Sequence, residues 1–257
     1  MTGYESLAGS ATVYSLPAQP MSAATTLYSA QFASGPAGTT RYFTDLNLIN
    51  TSAERRHVRV SLTGNDGMSV PGAVPAEFWL DPGEQRLARG EDYFALADAA
   101  VASQITEGTL VIALDGAGVI GDVAFGDPLA GRFMAGLALD GSPATSMVLS
   151  QVAEGGQDDG KSYFTGIAMY NPNPQDVVVT VDLYAEQGQQ TGTRTFTLGR
   201  GMRLSKTLPQ IIPGFGRQLR GYIRITANGG PIIAFELFGE SSSLDFLAAV
   251  PPKTILP

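Results

Sequence analysis

The chain has 257 residues, enough for one large domain or for two small ones that each bury a core. Its formal net charge is -8, so attraction to nucleic-acid phosphates or to anionic lipids is not expected. Cysteine is absent, which excludes disulfides, thiolate metal sites and cysteine nucleophiles.

The first predicted element is a hairpin with its linker in residues 1–26. Gly3-Tyr4-Glu5 and Val13-Tyr14-Ser15-Leu16-Pro17 resemble the last hairpin of a repeat that occurs twice further along the chain. Two interpretations stay open: the sequence begins inside a preceding copy of an array, which we favour, or this hairpin completes an edge of the first copy. The start lacks the basic and then apolar pattern of a signal peptide, so an extracellular location requires that the signal has been removed.

Residues 27–143 are predicted to form one all-β module, and residues 144–257 a second copy of it. Matching sequence blocks recur in the same order in both copies, which identifies an internal duplication. Apolar residues alternate within short runs between glycine-rich and proline-rich turns, so each copy is predicted to be an antiparallel β-sandwich of about seven or eight strands. The leading aligned blocks are Leu27–Gly35 with Met147–Gly155, and Tyr42–Asn50 with Tyr163–Asn171.

The densest basic cluster lies at the entry to a predicted strand of the first copy. Arg55, Arg56 and Arg59 are suited to an acidic glycan or a neighbouring subunit, but charges on a strand edge also prevent unwanted sheet pairing. His57, the only histidine, lies among them, and its counterpart in the second copy is Val178. A Ser-His-Asp triad or a multi-histidine metal site would have to use His57, so we expect a surface histidine and no such site.

Trp79 is the sole tryptophan, and its counterpart in the second copy is Thr197. Alternation places Phe78 and Leu80 on one face of the strand and Trp79 on the other. If the first face is the core, Trp79 is exposed and is the best single candidate for a ligand or interface contact, because aromatic rings stack on sugars and anchor interfaces. Partial burial beneath the loop that follows is the alternative.

Residues 91–101 are alanine-rich with acidic residues at their start, which predicts a short helix or helical loop in the first copy. The counterpart in residues 208–214 carries two prolines, so at most one helical turn is expected there. Tyr42-Phe43 and Tyr163-Phe164 recur in both copies. This recurrence predicts that they line the core of each module.

Carboxylates suggest two further kinds of site. Glu154, Asp158 and Asp159 in a loop of the second copy offer oxygen ligands for calcium, but the spacing is not that of an EF-hand and a solvated loop is the preferred interpretation. Acid pairs for glycoside hydrolysis must face each other across a cleft, and no spacing singles out a pair. Acids beside the closing hairpins are Asp122, Asp127, Glu236 and Glu240, with Glu5 in the first hairpin. Glu236 is expected to be a structural acid that bonds to backbone.

Several recurring features resemble the β-sandwich repeats of secreted bacterial surface proteins. The resemblance covers nearly the whole chain and rests on Phe43-Thr44 with Asn50, on Phe164-Thr165 with Asn171, and on the paired Phe-Gly hairpins. Such modules serve as stalks, adhesin segments or carbohydrate-binding accessories. The resemblance therefore implies a secreted or cell-surface protein and supplies no catalytic residues.

The sequence thus predicts a non-catalytic extracellular protein, structural or adhesive, that uses no cofactor. Its expected partners are other copies of the repeat or a cell-surface protein, with neither nucleic acid nor membrane insertion. A carbohydrate-binding module that uses exposed aromatic residues such as Trp79 is the alternative. A hydrolase accessory or catalytic domain is the least favoured reading.

Overall fold

The structure is a computed structural model that describes residues 2–6, 13–19, 21–96, 103–127, 133–157, 160–241 and 246–255. Nearly all of its regular structure is β, as the sequence predicted, and the elements given for the described residues include two short helices. The chain divides into two compact units, Met1–Ser142 and Pro143–Pro257.

The first unit begins with a hairpin and continues with eight strands and one short helix. In chain order these elements are β1 (Thr2–Ser6), β2 (Val13–Pro17), β3 (Thr26–Ala37), β4 (Thr40–Asn50), β5 (Arg56–Thr63), β6 (Ala76–Leu80), β7 (Gln85–Arg89), α1 (Gly90–Phe94), β8 (Thr106–Leu114), β9 (Val119–Gly126) and β10 (Met134–Ala138).

Strands β1 and β2 pair with each other, and the remaining strands of the first unit form one antiparallel sheet. Its strand order is β10-β9-β4-β3-β8-β5-β6, and β7 pairs with β4. Strand β3 belongs to both halves of this sheet, because its early residues pair with β8 and its last residues with β4. The register shifts between Ser29 and Phe32, and this irregularity lets one strand serve both layers.

The second unit repeats this series with more interruptions. In chain order its elements are β11 (Ser146–Leu149), β12 (Ala153–Gly156), β13 (Ser162–Tyr170), β14 (Val177–Tyr184), β15 (Gln190–Leu198), β16 (Arg203–Thr207), α2 (Leu208–Ile211), β17 (Gln218–Leu219), β18 (Tyr222–Asn228), β19 (Ile233–Glu240), β20 (Leu247–Val250) and β21 (Lys253–Thr254).

The second unit is a sandwich of two antiparallel sheets. One sheet has the order β15-β14-β18-β11-β21, and the other has the order β17-β12-β13-β19-β20 with β16 paired to β13. The core lies between them, because one buried cluster takes Val179 and Ile225 from the first sheet and Ile167 and Met169 from the second. Strands β11 and β12 together correspond to the single strand β3.

The two units share their strand register as well as their strand order. Phe43 of β4 lies opposite Gly126 of β9, and Phe164 of β13 lies opposite Gly239 of β19. Since register fixes which face each side chain occupies, counterparts in the two units face the same side of their sheets. Further matching pairs are Val58–Phe78 with Val179–Phe196, and Leu27–Ile112 with Met147–Ile225.

A buried threonine makes the same two hydrogen bonds in both units. The Thr44 hydroxyl accepts a bond from the Ala33 amide and donates to the Ala33 carbonyl, both at 3.0 Å. The Thr165 hydroxyl makes the same pair of bonds with Ala153 at 2.9 Å. These bonds satisfy backbone groups where β3, or its counterpart β12, crosses the sandwich.

A buried asparagine closes the same turn in both units. The Asn50 side chain donates to the carbonyls of Glu54 at 2.8 Å and of Leu80 at 3.0 Å. The Asn171 side chain repeats these bonds, at 2.9 Å and 3.0 Å, to counterpart carbonyls at Gln175 and Leu198. The recurring Thr and Asn therefore have structural roles.

The prediction that Tyr42-Phe43 and Tyr163-Phe164 line a core is confirmed for Phe43, which is 1% exposed, and is wrong for Phe164. Phe43 belongs to a small separate cluster with Ala124 and Met134, and Phe164 is half-buried outside the sandwich core. The inward position is taken by Thr44 and by its counterpart, because their hydroxyls bond to backbone there. Alternation then turns each phenylalanine outward.

The predicted helix of residues 91–101 is shorter than expected. Helix α1 ends at Phe94, where Ala95 adopts a left-handed conformation with φ of 48°. Residues 97–101 lie outside the described residues. Helix α2 is a single turn, and the sequence predicted at most one turn there because of the two prolines. No helix in the described part of the chain is long and apolar enough to cross a membrane.

Candidate functional site

The outward face of strands β5 and β6 displays the sole tryptophan. Leu80 is fully buried, whereas the neighbouring Trp79 is 47% exposed. The alternation of the strand therefore places Trp79 on the outward side, and residues 97–101 of the loop that could partly cover it lie outside the described residues.

Two side chains of β5 and its entry contact the Trp79 ring. His57 lies directly opposite Trp79 in the ladder, and their ring centroids are 4.9 Å apart. The guanidinium of Arg55 lies over the indole, 4.9 Å from its centroid, in a cation–π contact. One side of the indole is therefore already paired with a cation.

Ion pairs complete this surface. Arg59 contacts Glu77 at 2.9 Å, and His57 Nε2 lies 4.0 Å from the same carboxylate. Arg55 pairs with Asp81 at 3.0 Å. These exposed pairs contribute little to stability, but they hold long side chains in place beside the indole. We call Arg55, His57, Arg59, Glu77 and Trp79 the Trp79 face.

Arg56 does not belong to the Trp79 face, although the sequence grouped it with Arg55 and Arg59. Its side chain is only 17% exposed, donates to the Ala117 carbonyl at 2.9 Å and pairs with Glu54 at 2.7 Å. It also packs against Gly116, where a Cβ atom would lie 2.8 Å from the guanidinium. Arg56 thus stabilises the loop that contains Gly116 and Ala117.

The counterpart surface of the second unit has different chemistry. Thr180 and Thr195 share a 2.9 Å hydrogen bond at the position of the Arg59–Glu77 pair. Val178 lies opposite Thr197 at the position of His57 and Trp79. The aromatic and charged set is therefore specific to the first unit.

The calcium alternative gains no support from Glu154. Its carboxylate is buried and accepts a hydrogen bond from the Thr165 amide at 3.0 Å, and burial raises its pKa, partly offset by that bond. Asp158 and Asp159 lie outside the described residues. Among the residues that are described, no group of three or more His, Cys, Asp or Glu side chains is arranged to hold a metal ion.

The acids beside the hairpins β9-β10 and β19-β20 lie in different surroundings. Asp122 accepts a hydrogen bond from Asn47 at 3.0 Å on the outward side of β9. Glu236 lies on the inward side of β19 in the other unit, four residues before Glu240. Four residues of extended strand span about 13 Å, which exceeds the separation of about 5 to 9.5 Å between glycosidase carboxylates.

Glu236 is the acid whose environment the sequence did not predict correctly. It is fully buried, and neither carboxylate oxygen has a partner at ordinary hydrogen-bond geometry, so the expected bond to backbone is reduced to a weak interaction with the backbone of Gln151. Burial raises the pKa of Glu236 to about 8, partly offset by the backbone at Gln151. Its counterpart in the first unit is Val123, a core residue, and that alignment was the available signal.

A cavity of about 530 Å³ lies in the first unit between the linker after β2 and the end of β10. Met21, Leu27, Ile120 and Leu139 supply much of its lining, and Asp140 is its acid. The Asp140 carboxylate accepts a hydrogen bond from the Ser142 amide at 2.7 Å. One acid without a histidine or a second acid beside it does not form an acid–base pair.

The sequence matches no protein-family model and no curated protein. Among solved structures, the crystal structure of Thermotoga maritima 1070 is 8% identical over 44% of this chain and 97% of that chain, with a TM-score of 0.36. A Bacteroides uniformis β-glucuronidase is 9% identical over 90% of this chain and 26% of that chain, with a TM-score of 0.20. At these values neither likeness assigns a family or a ligand.

Proposed function

We propose that the chain is a non-catalytic β-sandwich repeat protein of the cell exterior that acts by surface contact, in a structural or adhesive role. The observation that carries the proposal is the Trp79 face. Tryptophan and arginine dominate binding energy at protein interfaces, because each joins a large contact area to hydrogen-bonding groups. A flat sheet face suits a macromolecular partner better than a small substrate, which needs a concave pocket.

The chemistry of the remaining candidates supports a non-catalytic role. The sole histidine makes a tilted ring contact with Trp79 and faces Glu77, so it has no nucleophile as a neighbour in the described contacts. Of the acids considered for hydrolysis, Asp122 lies on an outward side of the first unit and Glu236 at a core position of the second. Acid–base catalysis requires groups that converge on one reacting atom.

The test measures binding of the fluorescently labelled chain to bacterial and epithelial cells by flow cytometry. Trp79→Ala is expected to weaken binding at least about tenfold, as truncation of an interface hot spot does. Leu87→Ala is the matched control, because Leu87 is another exposed apolar residue of the first unit. Wild-type binding by Trp79→Ala with an unchanged circular dichroism spectrum, or no binding by the wild-type chain, overturns the proposal.

Carbohydrate binding is the second candidate, favoured by the exposed indole of Trp79. A sugar must use the ring face that Arg55 leaves free, or displace Arg55. Arg55→Ala is therefore expected to preserve or strengthen binding to a glycan and to weaken binding to a protein. Pretreating the cells with protease removes a protein partner, whereas periodate oxidation removes a glycan partner.

A further inference from the structure

The edge of one sheet in the second unit carries an apolar surface. Strand β20 is the outermost strand, and its Leu247 and Ala249 lie on the side away from the core. Leu237 of β19 and Phe164 of β13 lie on the same side. We call these four residues the β20 patch. All four are only partly buried.

The same surface of the first unit is buried. The counterparts of Phe164, Leu237 and Leu247 are Phe43, Ala124 and Met134, which form a buried cluster with Leu16 of β2 packed against it. The position before the last strand shows the same contrast. Phe246 is 37% exposed, whereas its counterpart Phe133 is 1% exposed.

A shallow cavity of about 180 Å³ adjoins the β20 patch and is lined in part by Gly166 and Thr207. In the first unit these two positions hold Asp45 and Arg89, which form an ion pair at 2.6 Å. The guanidinium of Arg89 also lies over the Phe43 ring, 4.5 Å from its centroid. The second unit has no ion pair at these two positions, and the shallow cavity lies there instead.

The strand that covers the first-unit cluster is itself similar to β20. Val13–Pro17 resembles Leu247–Pro251, with apolar residues at the first and fourth positions and proline at the fifth. Both strands are the second strand of a hairpin, and β2 lies alongside β10, the counterpart of β20. In the first unit, therefore, a strand that resembles β20 already packs against the counterpart of the β20 patch.

We propose that the β20 patch binds the β20 strand of a second copy of this chain, so that two second units pair through the same surface. Such a contact is closed and symmetric, because each patch covers the other. It buries apolar side chains of both copies, as Leu16 of β2 covers the matching cluster of the first unit. This inference rests on the proposed surface-contact function and names one partner, a second copy.

The first test is sedimentation velocity of the full chain over a wide range of concentrations. We expect a monomer–dimer equilibrium, and Ala249→Arg is expected to raise its dissociation constant at least about tenfold. Thr197→Arg is the control, because Thr197 is exposed on an edge strand of the other sheet. A wild-type chain that stays monomeric, or an unaffected Ala249→Arg, overturns the proposal.

The second test uses the absence of cysteine, which makes single cysteine substitutions specific probes. Ala249→Cys alone is expected to form a disulfide-linked dimer on mild oxidation, and Thr197→Cys is not, since a disulfide requires Cα atoms within about 7 Å. If Ala249→Cys links only to a second molecule carrying Leu16→Cys, the hairpin of that molecule is the occupant and β20 pairing is wrong.

The two proposals fail separately. Ala249→Arg is expected to lose dimerisation and to keep Trp79-dependent cell binding, because the two surfaces are on different units. Trp79→Ala is expected to lose cell binding and to keep dimerisation. Loss of both properties in Ala249→Arg would contradict the assignment of separate surfaces.

Discussion

Glu236 has a side chain that does not match its surroundings. It occupies a core position of β19 opposite Ile167, where the first unit has Val123 opposite Leu46. A carboxyl group buried this deeply strongly favours its neutral form. The folded second unit therefore holds this proton to a higher pH than the unfolded chain does.

Replacement of this acid is predicted to stabilise the second unit. Since the pKa is raised from 4.5 to about 8, the folded chain holds more protons between these values, and the free energy of unfolding falls as pH rises through that window. Glu236→Val, which copies the first unit, should remove this fall and add about 3 kcal/mol near neutral pH. Urea denaturation across the window measures it.

Val123→Glu is the reciprocal control and should introduce the same pH dependence into the first unit. If the stability of Glu236→Val varies with pH as steeply as that of the wild-type chain, Glu236 is not the group responsible and its burial is not what raises its pKa.

Sequence patterns predicted the position of some of these residues and not of others. The side of the strand on which Trp79 lies followed from alternation, because its neighbours Phe78 and Leu80 are apolar and share the other side. Glu236 lies in a run that is apolar on both faces, so alternation could not choose its side. Arg56 was misplaced because it was grouped with Arg55 and Arg59 by charge alone, although alternation puts it on the same side of β5 as the buried Val58.

At the level of elements, the recurring asparagine is the strongest link between sequence and structure. Asn50 and Asn171 each satisfy two backbone carbonyls that the turn would otherwise leave without a donor. The sequence showed the recurrence, but not the partners, because hydrogen bonds across a sandwich join residues far apart in the chain.

Asn50→Ala and Asn171→Ala are predicted to destabilise their own units by similar amounts, about 2 kcal/mol each, since each leaves buried carbonyls unpaired. Hydrogen exchange resolved by unit measures the effect, together with chemical denaturation. Asn228→Ala, at the exposed end of β18, is the control and should change neither unit. A loss of protection in the unit that was not mutated would contradict the independent role of each turn.

The sequence pattern does not predict where a strand of this fold is interrupted. The first unit uses one strand, β3, where the second uses β11 and β12. The irregularity in β3 is held by Ser29, whose hydroxyl donates to the Gln31 carbonyl at 3.0 Å. Whether a strand bends or breaks at such a point depends on the layer it must reach, which the local sequence does not encode.

For the whole molecule, duplication explains the fold and divergence suggests the function. Both units keep the same strand order, register, buried threonine and buried asparagine. They differ in the surfaces that remain open: the first unit has the Trp79 face and a covered outward cluster, whereas the second has threonines in place of that face and the open β20 patch. The sequence predicted the duplication and the Trp79 candidate, but not the patch, because its exposure depends on which strands cover it.

The fluorescence of the single tryptophan tests the central claim most directly, because all of its signal comes from Trp79. The emission of the free chain is predicted to be that of a water-exposed indole, readily quenched by acrylamide. On binding to cell-surface extracts that retain the chain, the emission should shift to shorter wavelength and become protected from the quencher. Unchanged emission and quenching in the bound state would contradict the assignment of the Trp79 face as the contact surface.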